Sequence, residues 1–256
     1  MAQTENPFLK SDAVNPWVIA HRGFSAAYPE NTRLAFDAAV ACGIDAMELD
    51  LQWTRDREVL CFHDRSLHKL GLGRHVMRNR NFSELGTLDV GGWFDGKFSD
   101  QRLLRLEDVL SGYGHKTWLL LEIKRRAPRN DPGQLHALMD SVLAQVESHG
   151  LGQRVAILCF DEEALRRGWL SYPGIRFVLN QERPRILPDD AHLAAYSVRA
   201  KNLTAGFVER VHAREKPVMV FTVNDRALLD RMLALGVDGI MSDNPAWLGE
   251  ALRIKS

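Results

Sequence analysis

Short apolar runs closed by turn residues alternate along this chain with longer stretches in which apolar residues recur every three or four positions. The first pattern predicts buried strands and the second amphipathic helices. Strands are predicted at residues 17–20, 45–51, 59–63, 118–123, 155–160, 175–179, 196–200 and 218–223, and Gly236-Val-Asp-Gly-Ile240 closes the series. Helical spacing follows Thr32 through Leu34, Phe36, Ala38, Ala39 and Val40 and stops at Gly43. It recurs at 106–110, at 132–148 with Leu135, Leu138, Met139, Val142 and Val146 on one face, and from Asp161 until Pro173. Two further helices are expected at 204–214 and from a cap at Asn224 or Asp225 to Leu235. Residues 181–195 give no clear pattern.

One gap breaks the rhythm. Residues 52–58 are too few for a crossover helix, yet at ~3.3 Å per extended residue they suffice to return the chain across a barrel's depth. An extended link is therefore expected there. Residues 66–106, rich in glycine, arginine and aromatic residues, are too long for an ordinary loop and predict a small insertion beside the strand ends. Repeated β-α units of this size predict an α/β fold, a (β/α)8 TIM-type barrel of about eight strands with an insertion after the third. An open doubly wound sheet is the alternative, but no glycine-rich dinucleotide turn follows the first strand.

At 256 residues the whole chain, 1–256, fits one barrel domain. Lysine plus arginine (33) balances aspartate plus glutamate (33), so no bulk field draws the protein to nucleic acid or an anionic membrane. Any affinity for phosphate must then be built locally. The three cysteines, Cys42, Cys61 and Cys159, sit in apolar surroundings and are expected as buried reduced thiols. Residues 1–15 have neither a basic nor an apolar leader pattern, and no apolar run approaches the ~20 residues that span a bilayer. A cytoplasmic location without membrane anchoring is expected; the oligomeric state is not readable.

Four apolar runs end in polar residues: His21-Arg22-Gly23, Glu48-Leu49-Asp50, His63-Asp64 and Glu122-Ile123-Lys124. Glu48 and Asp50 are two apart on a strand and share a face, which is unfavourable unless a cation lies between them. Glu122 supplies a third oxygen donor, and the set suits a hard cation, Mg²⁺ or Ca²⁺. The unperturbed pKa of an imidazole lies near neutrality, so His21 and His63 could serve as base and acid about one reacting phosphorus. Arg22 and Lys124 add fixed positive charge for an anion, although Lys124 could equally neutralise Glu122. Glu30-Asn31-Thr32 reads as a helix start, with Asn31 or Thr32 as cap and Glu30 able to orient Arg22 or His21. The combination describes phosphoryl transfer without a protein nucleophile.

These motifs, continued by Leu121-Glu122-Ile-Lys124, Phe160-Asp161, Thr222-Val223-Asn224 and Gly236-Val-Asp-Gly-Ile240 with Asp243, resemble in order those of the glycerophosphodiester phosphodiesterases. The resemblance runs over nearly the whole chain. It implies a (β/α)8 barrel and hydrolysis of a small-molecule glycerophosphodiester to sn-glycerol 3-phosphate and an alcohol, aided by one divalent cation. It also implies metal ligation by Glu48, Asp50 and Glu122, acid–base work by His21 and His63, and phosphate contacts from Arg22 and Lys124. The glycerol hydroxyl next to the phosphate would attack phosphorus, giving a cyclic phosphate that water opens. The chain departs from the family pattern at Lys69-Leu70-Gly71, where an arginine and two threonines are usual, and at Leu104, Arg105, Cys159 and Phe221. These departures bear on substrate preference. A lysophospholipase D-type activity is the alternative, with Leu70, Leu72, Val76, Phe82, Trp93 and Phe94 as an apolar entrance or as the insertion's own core.

Overall fold

The computed structural model describes residues 6–8, 15–124 and 132–253; most of the N-terminal leader reading, at residues 1–5 and 9–14, falls outside them. Strands β1 (Trp17–His21), β2 (Ala46–Trp53), β3 (Val59–Cys61), β4 (Trp118–Ile123), β5 (Val155–Cys159), β6 (Arg176–Gln181), β7 (Ala195–Arg199), β8 (Val218–Phe221) and β9 (Gly239–Ser242) form one sheet. Eight of them are parallel and close on themselves through β1–β2 and β1–β9 pairing, giving the expected barrel. The helices are α1 (Arg33–Ala41), α2 (Phe82–Leu85), α3 (Leu106–Tyr113), α4 (Pro132–Ser148), α5 (Glu162–Ser171), α6 (Ala205–His212), α7 (Arg226–Ala234) and α8 (Pro245–Arg253).

The ninth strand corrects the sequence reading. β3 pairs antiparallel with the far end of β2, Leu51 opposite Cys61 and Trp53 opposite Val59. Residues 54–58 are thus a hairpin turn, with Arg57 in the left-handed region at φ 71°, and nothing crosses the barrel's depth there. The insertion follows β3 and packs around its own apolar cluster of Leu60, Phe62, Leu67, Met77, Leu85, Val90 and Leu103. Leu70, Leu72 and Phe82 pack against that cluster, whereas Trp93 and Phe94 are exposed. The helix α8 was not anticipated.

Alternation along each strand decides what faces inward. Trp17, Ile19, Ala46, Leu120, Ala156, Leu158, Val178, Ala195, Met219 and Met241 fill the barrel, with Phe8 closing the lower end against Trp17 and Trp118. Two positions further along the same parity come His21, Glu48 and Glu122, and two beyond Glu48 comes Asp50. The inward face therefore turns from apolar to ionisable at the C-terminal end of the strands. The outward residues, such as Leu49, Leu121 and Val220, join the helices in the larger core.

Cys61 and Cys159 are buried and Cys42 is half-buried. Burial pushes the Cys159 thiol up to about 12, so it is inert as a nucleophile. Among the described residues no helix is long and apolar enough to cross a membrane.

Candidate active site

The strand register brings the ionisable residues together. His21 lies beside Glu48 across β1–β2, and Asp50 beside Glu122 across β2–β4. Glu48, Asp50 and Glu122 place carboxylate oxygens within 4.8 Å of one another, all buried. No histidine or cysteine is interspersed. Lys124 Nζ lies 2.8 Å from Asp50 Oδ1 and contacts Glu122 Oε1. Arg22 Nε lies 3.1 Å from Asp50 Oδ2.

These neighbours split the acids electrostatically. Burial would raise the Asp50 carboxyl, but Lys124 and Arg22 outweigh it and hold the group far below its usual range. Glu48 is pushed well up by burial and by repulsion from Asp50 and Glu122. Glu122 is also raised by burial, with Lys124 offsetting part of the effect. Glu48 Oε1 is buried without a hydrogen-bond partner, an arrangement that costs free energy unless something else supplies positive charge. An all-oxygen donor set with an orphaned oxygen fits Mg²⁺ or Ca²⁺.

The turn after β1 is built for close approach. Arg22 adopts φ 59° and Gly23 φ 80°. A Cβ on Gly23 would sit 2.7 Å from the Ala35 backbone, so only glycine fits against α1. The Arg22 N–H donates to the Glu48 carbonyl at 2.9 Å, and its guanidinium donates to Glu30 Oε2 at 2.9 Å. Of the two partners allowed for Glu30 by the sequence, Arg22 is the one found. Thr32 caps α1, its Oγ1 accepting from the Ala35 N–H at 3.3 Å. Asn31 does something else: at φ 57°, its amide donates to Asp50 Oδ2 at 2.8 Å.

His63 is carried on the return arm of the β2–β3 hairpin. The Phe62 N–H donates to the Asp50 carbonyl at 2.9 Å, and the Gln52 amide clamps the Phe62 and Asp64 carbonyls at 2.7 and 2.9 Å. His63 Nδ1 pairs with Asp64 Oδ1 at 2.8 Å. Burial lowers the His63 imidazole pKa despite the pull of Asp50. His21 has the matching arrangement, with Nδ1 2.6 Å from Asp243 Oδ1 and Nε2 3.9 Å from Glu48 Oε2. Asp243 is held in turn by Asn224 and Ser25. Two imidazoles, each fixed through Nδ1 by a carboxylate, thus flank one acidic cluster.

Several of these partners were not assigned from sequence. Asp243 and Asp64 belonged to the quoted motifs, but nothing local says which histidine each serves. Lys69, noted only as a departure, bridges Glu30 Oε1 at 2.5 Å and Asp64 Oδ2 at 3.1 Å. Asn224 bonds Asp243, while Asp225 is the cap of α7.

A parallel eight-stranded barrel with acids, bases and cations gathered at its C-terminal rim is the architecture of a TIM-barrel enzyme. The glycerophosphoryl diester phosphodiesterase family matches residues 21–247, and the chain belongs to that family. The glycerophosphodiester phosphodiesterase of Caldanaerobacter subterraneus is 30% identical over 243 residues, 92% of this chain and 97% of that one. An Oleispira antarctica phosphodiesterase in complex with the product sn-glycerol-3-phosphate is similar at TM-score 0.77 and 26% identity, covering 94% of this chain and 97% of that one. The glycerophosphodiester phosphodiesterase from Agrobacterium tumefaciens is similar at TM-score 0.75 and 25% identity, over 91% and 98% of the two chains.

Proposed function

We propose that this chain hydrolyses glycerophosphodiesters to sn-glycerol 3-phosphate and an alcohol, as one phosphodiesterase domain using one divalent cation, Mg²⁺ or Ca²⁺. The observation that carries the proposal is the buried Glu48–Asp50–Glu122 cluster flanked by two carboxylate-held imidazoles. Glu48, Asp50 and Glu122 would hold the cation, which when bound supplies Lewis-acid stabilisation of charge on the phosphoryl oxygens. Arg22 and Lys124, both anchored by Asp50, keep fixed positive charge at the rim for the phosphate.

His21 takes the proton of the glycerol hydroxyl next to the phosphate as that oxygen bonds to phosphorus. The bond from phosphorus to the alcohol oxygen breaks, and His63 delivers a proton to that oxygen. A cyclic phosphate remains. In the second step His63 takes a proton from water as it attacks phosphorus, and His21 returns its proton to the glycerol oxygen that leaves. An internal nucleophile has the advantage of a preassembled reactant, so no protein nucleophile is required.

Incubation with glycerophosphodiesters and Mg²⁺ or Ca²⁺ is expected to release glycerol 3-phosphate, and EDTA to abolish the release. Release undiminished by EDTA would remove the cation from the scheme, and no release from any glycerophosphodiester would remove the activity. A substrate whose neighbouring hydroxyl is methylated is expected to be inert. Its turnover, read as alcohol released, would exclude internal attack.

A further inference from the structure

Two adjoining hollows lie between the β2–β3 hairpin, the turn Met77–Asn79 and the first turns of α4. The inner one, about 50 Å³, reaches Lys124 and Gln52. The outer one, about 450 Å³, opens over Arg55 and Arg57. Trp53, Arg78 and Gln134 belong to both walls, so the two form one groove leading outward from the catalytic rim.

Its charge is one-sided. Lys124, Arg65, Arg78, Arg55 and Arg57 line it, and among the described residues no aspartate or glutamate does, in a chain whose formal charges cancel. Lys124 is engaged with Asp50 and Glu122, and Arg55 lies 3.4 Å from Glu84. Arg57 instead stacks 3.8 Å over the Trp53 ring. Neither Arg57 nor Arg65 has a carboxylate within ion-pair distance among the described residues. Arg65 stands two residues beyond His63, so the free positive charge and the group assigned to protonate the departing oxygen are on the same arm of the chain.

We propose that this groove receives the leaving alcohol and selects alcohols that carry a further negative charge, a phosphate ester above all. The inference rests on the phosphodiesterase reading. The inner hollow has room for the ester oxygen and the first carbon of the alcohol, and the outer one for the rest of a phosphorylated polyol. Met77 and Leu135 give the inner hollow an apolar wall, Trp53 continues it into the outer one, and guanidinium forks bind phosphate oxygens in pairs. A quaternary ammonium head group would meet the same cations and be disfavoured.

The test compares glycerophosphoinositol 4-phosphate with glycerophosphoinositol, which differ by one phosphate. Binding is measured by calorimetry in EDTA, where turnover does not enter. The native protein is expected to bind the phosphorylated ligand at least about tenfold more tightly, a difference that shrinks as salt screens the charges. The double variant Arg57→Ala/Arg65→Ala changes only exposed side chains, and it should bring the affinity ratio near unity. Equal affinities in the native protein, or an undiminished ratio in the variant, would overturn the subsite. Turnover of the same pair with Mg²⁺ or Ca²⁺ is then followed. A preserved binding preference with no hydrolysis of either would sink the phosphodiesterase reading and leave the subsite standing.

Discussion

His63→Ala is expected to slow hydrolysis of a glycerophosphodiester with an alkyl alcohol about 10²-fold or more, and that of a nitrophenyl ester less than about tenfold. His21→Ala is expected to slow both by about 10²-fold or more. The magnitude is the usual contribution of a positioned acid or base; the contrast comes from the assigned roles. An alkoxide is a poor leaving group and needs a proton as it departs, whereas a nitrophenolate does not. The attacking glycerol hydroxyl must lose its proton whichever group leaves. Geometry supports the pairing, because Asp243 fixes His21 through Nδ1 at 2.6 Å and Asp64 fixes His63 through Nδ1 at 2.8 Å. Each carboxylate thereby fixes its ring through Nδ1, and the proposed scheme uses Nε2 for the proton transfers. The measurement is kcat for both variants on both substrates. If the nitrophenyl ester is slowed equally by the two substitutions, the acid assignment of His63 is wrong.

The sequence encodes this site unevenly, and the reason is physical. Barrel strands and their acids were readable because burial imposes an apolar run and strand parity puts Glu48 and Asp50 on one face. A helix cap at Asn31 or Thr32, which the structure resolves to Thr32, and the full span of α4 were readable because caps and helical faces are local. β3 was misread as a barrel strand because Val59–Cys61 has the composition of one. Whether a strand pairs parallel or antiparallel is not written in its composition. The brevity of residues 52–58 was the available signal, and it fits a hairpin better than a traverse. Asp243 serves His21 from 222 positions away, and Lys69 ties Glu30 to Asp64 through a turn of the insertion. Such pairings arise only after closure of the barrel. Asn31 misled in another way, since a residue able to cap a helix is equally able to hold a buried carboxylate, and here it holds Asp50.

Opposite stability effects are expected from two neutralising substitutions only two residues apart. In EDTA, Asp50→Asn should destabilise the protein by about 3 kcal/mol, the lower end for breaking a buried ion pair. The loss stays at that lower end because Lys124 keeps Glu122 and Arg22 keeps Glu30. At about 2–4 °C per kcal/mol for a chain of this size, the midpoint should fall by roughly 6–12 °C. Glu48→Gln should instead leave the midpoint unchanged or raise it. Its carboxyl is pushed up by burial and by two acidic neighbours, and one of its oxygens has no partner. A neutral amide ends that repulsion, and its N–H group finds carboxylate acceptors nearby. The order of Glu48→Gln and the native protein reverses when cation is present. At 100-fold excess over its dissociation constant, a ligand held only by the native state stabilises by about 2.7 kcal/mol. Mg²⁺ or Ca²⁺ should therefore raise the midpoint of the native protein by roughly 5–10 °C, and of Glu48→Gln much less. Thermal unfolding with and without EDTA reads all of this. A Glu48→Gln variant as unstable as Asp50→Asn in EDTA, or as strongly stabilised by cation as the native protein, would mean that Glu48 is satisfied by protein partners and does not wait for an ion.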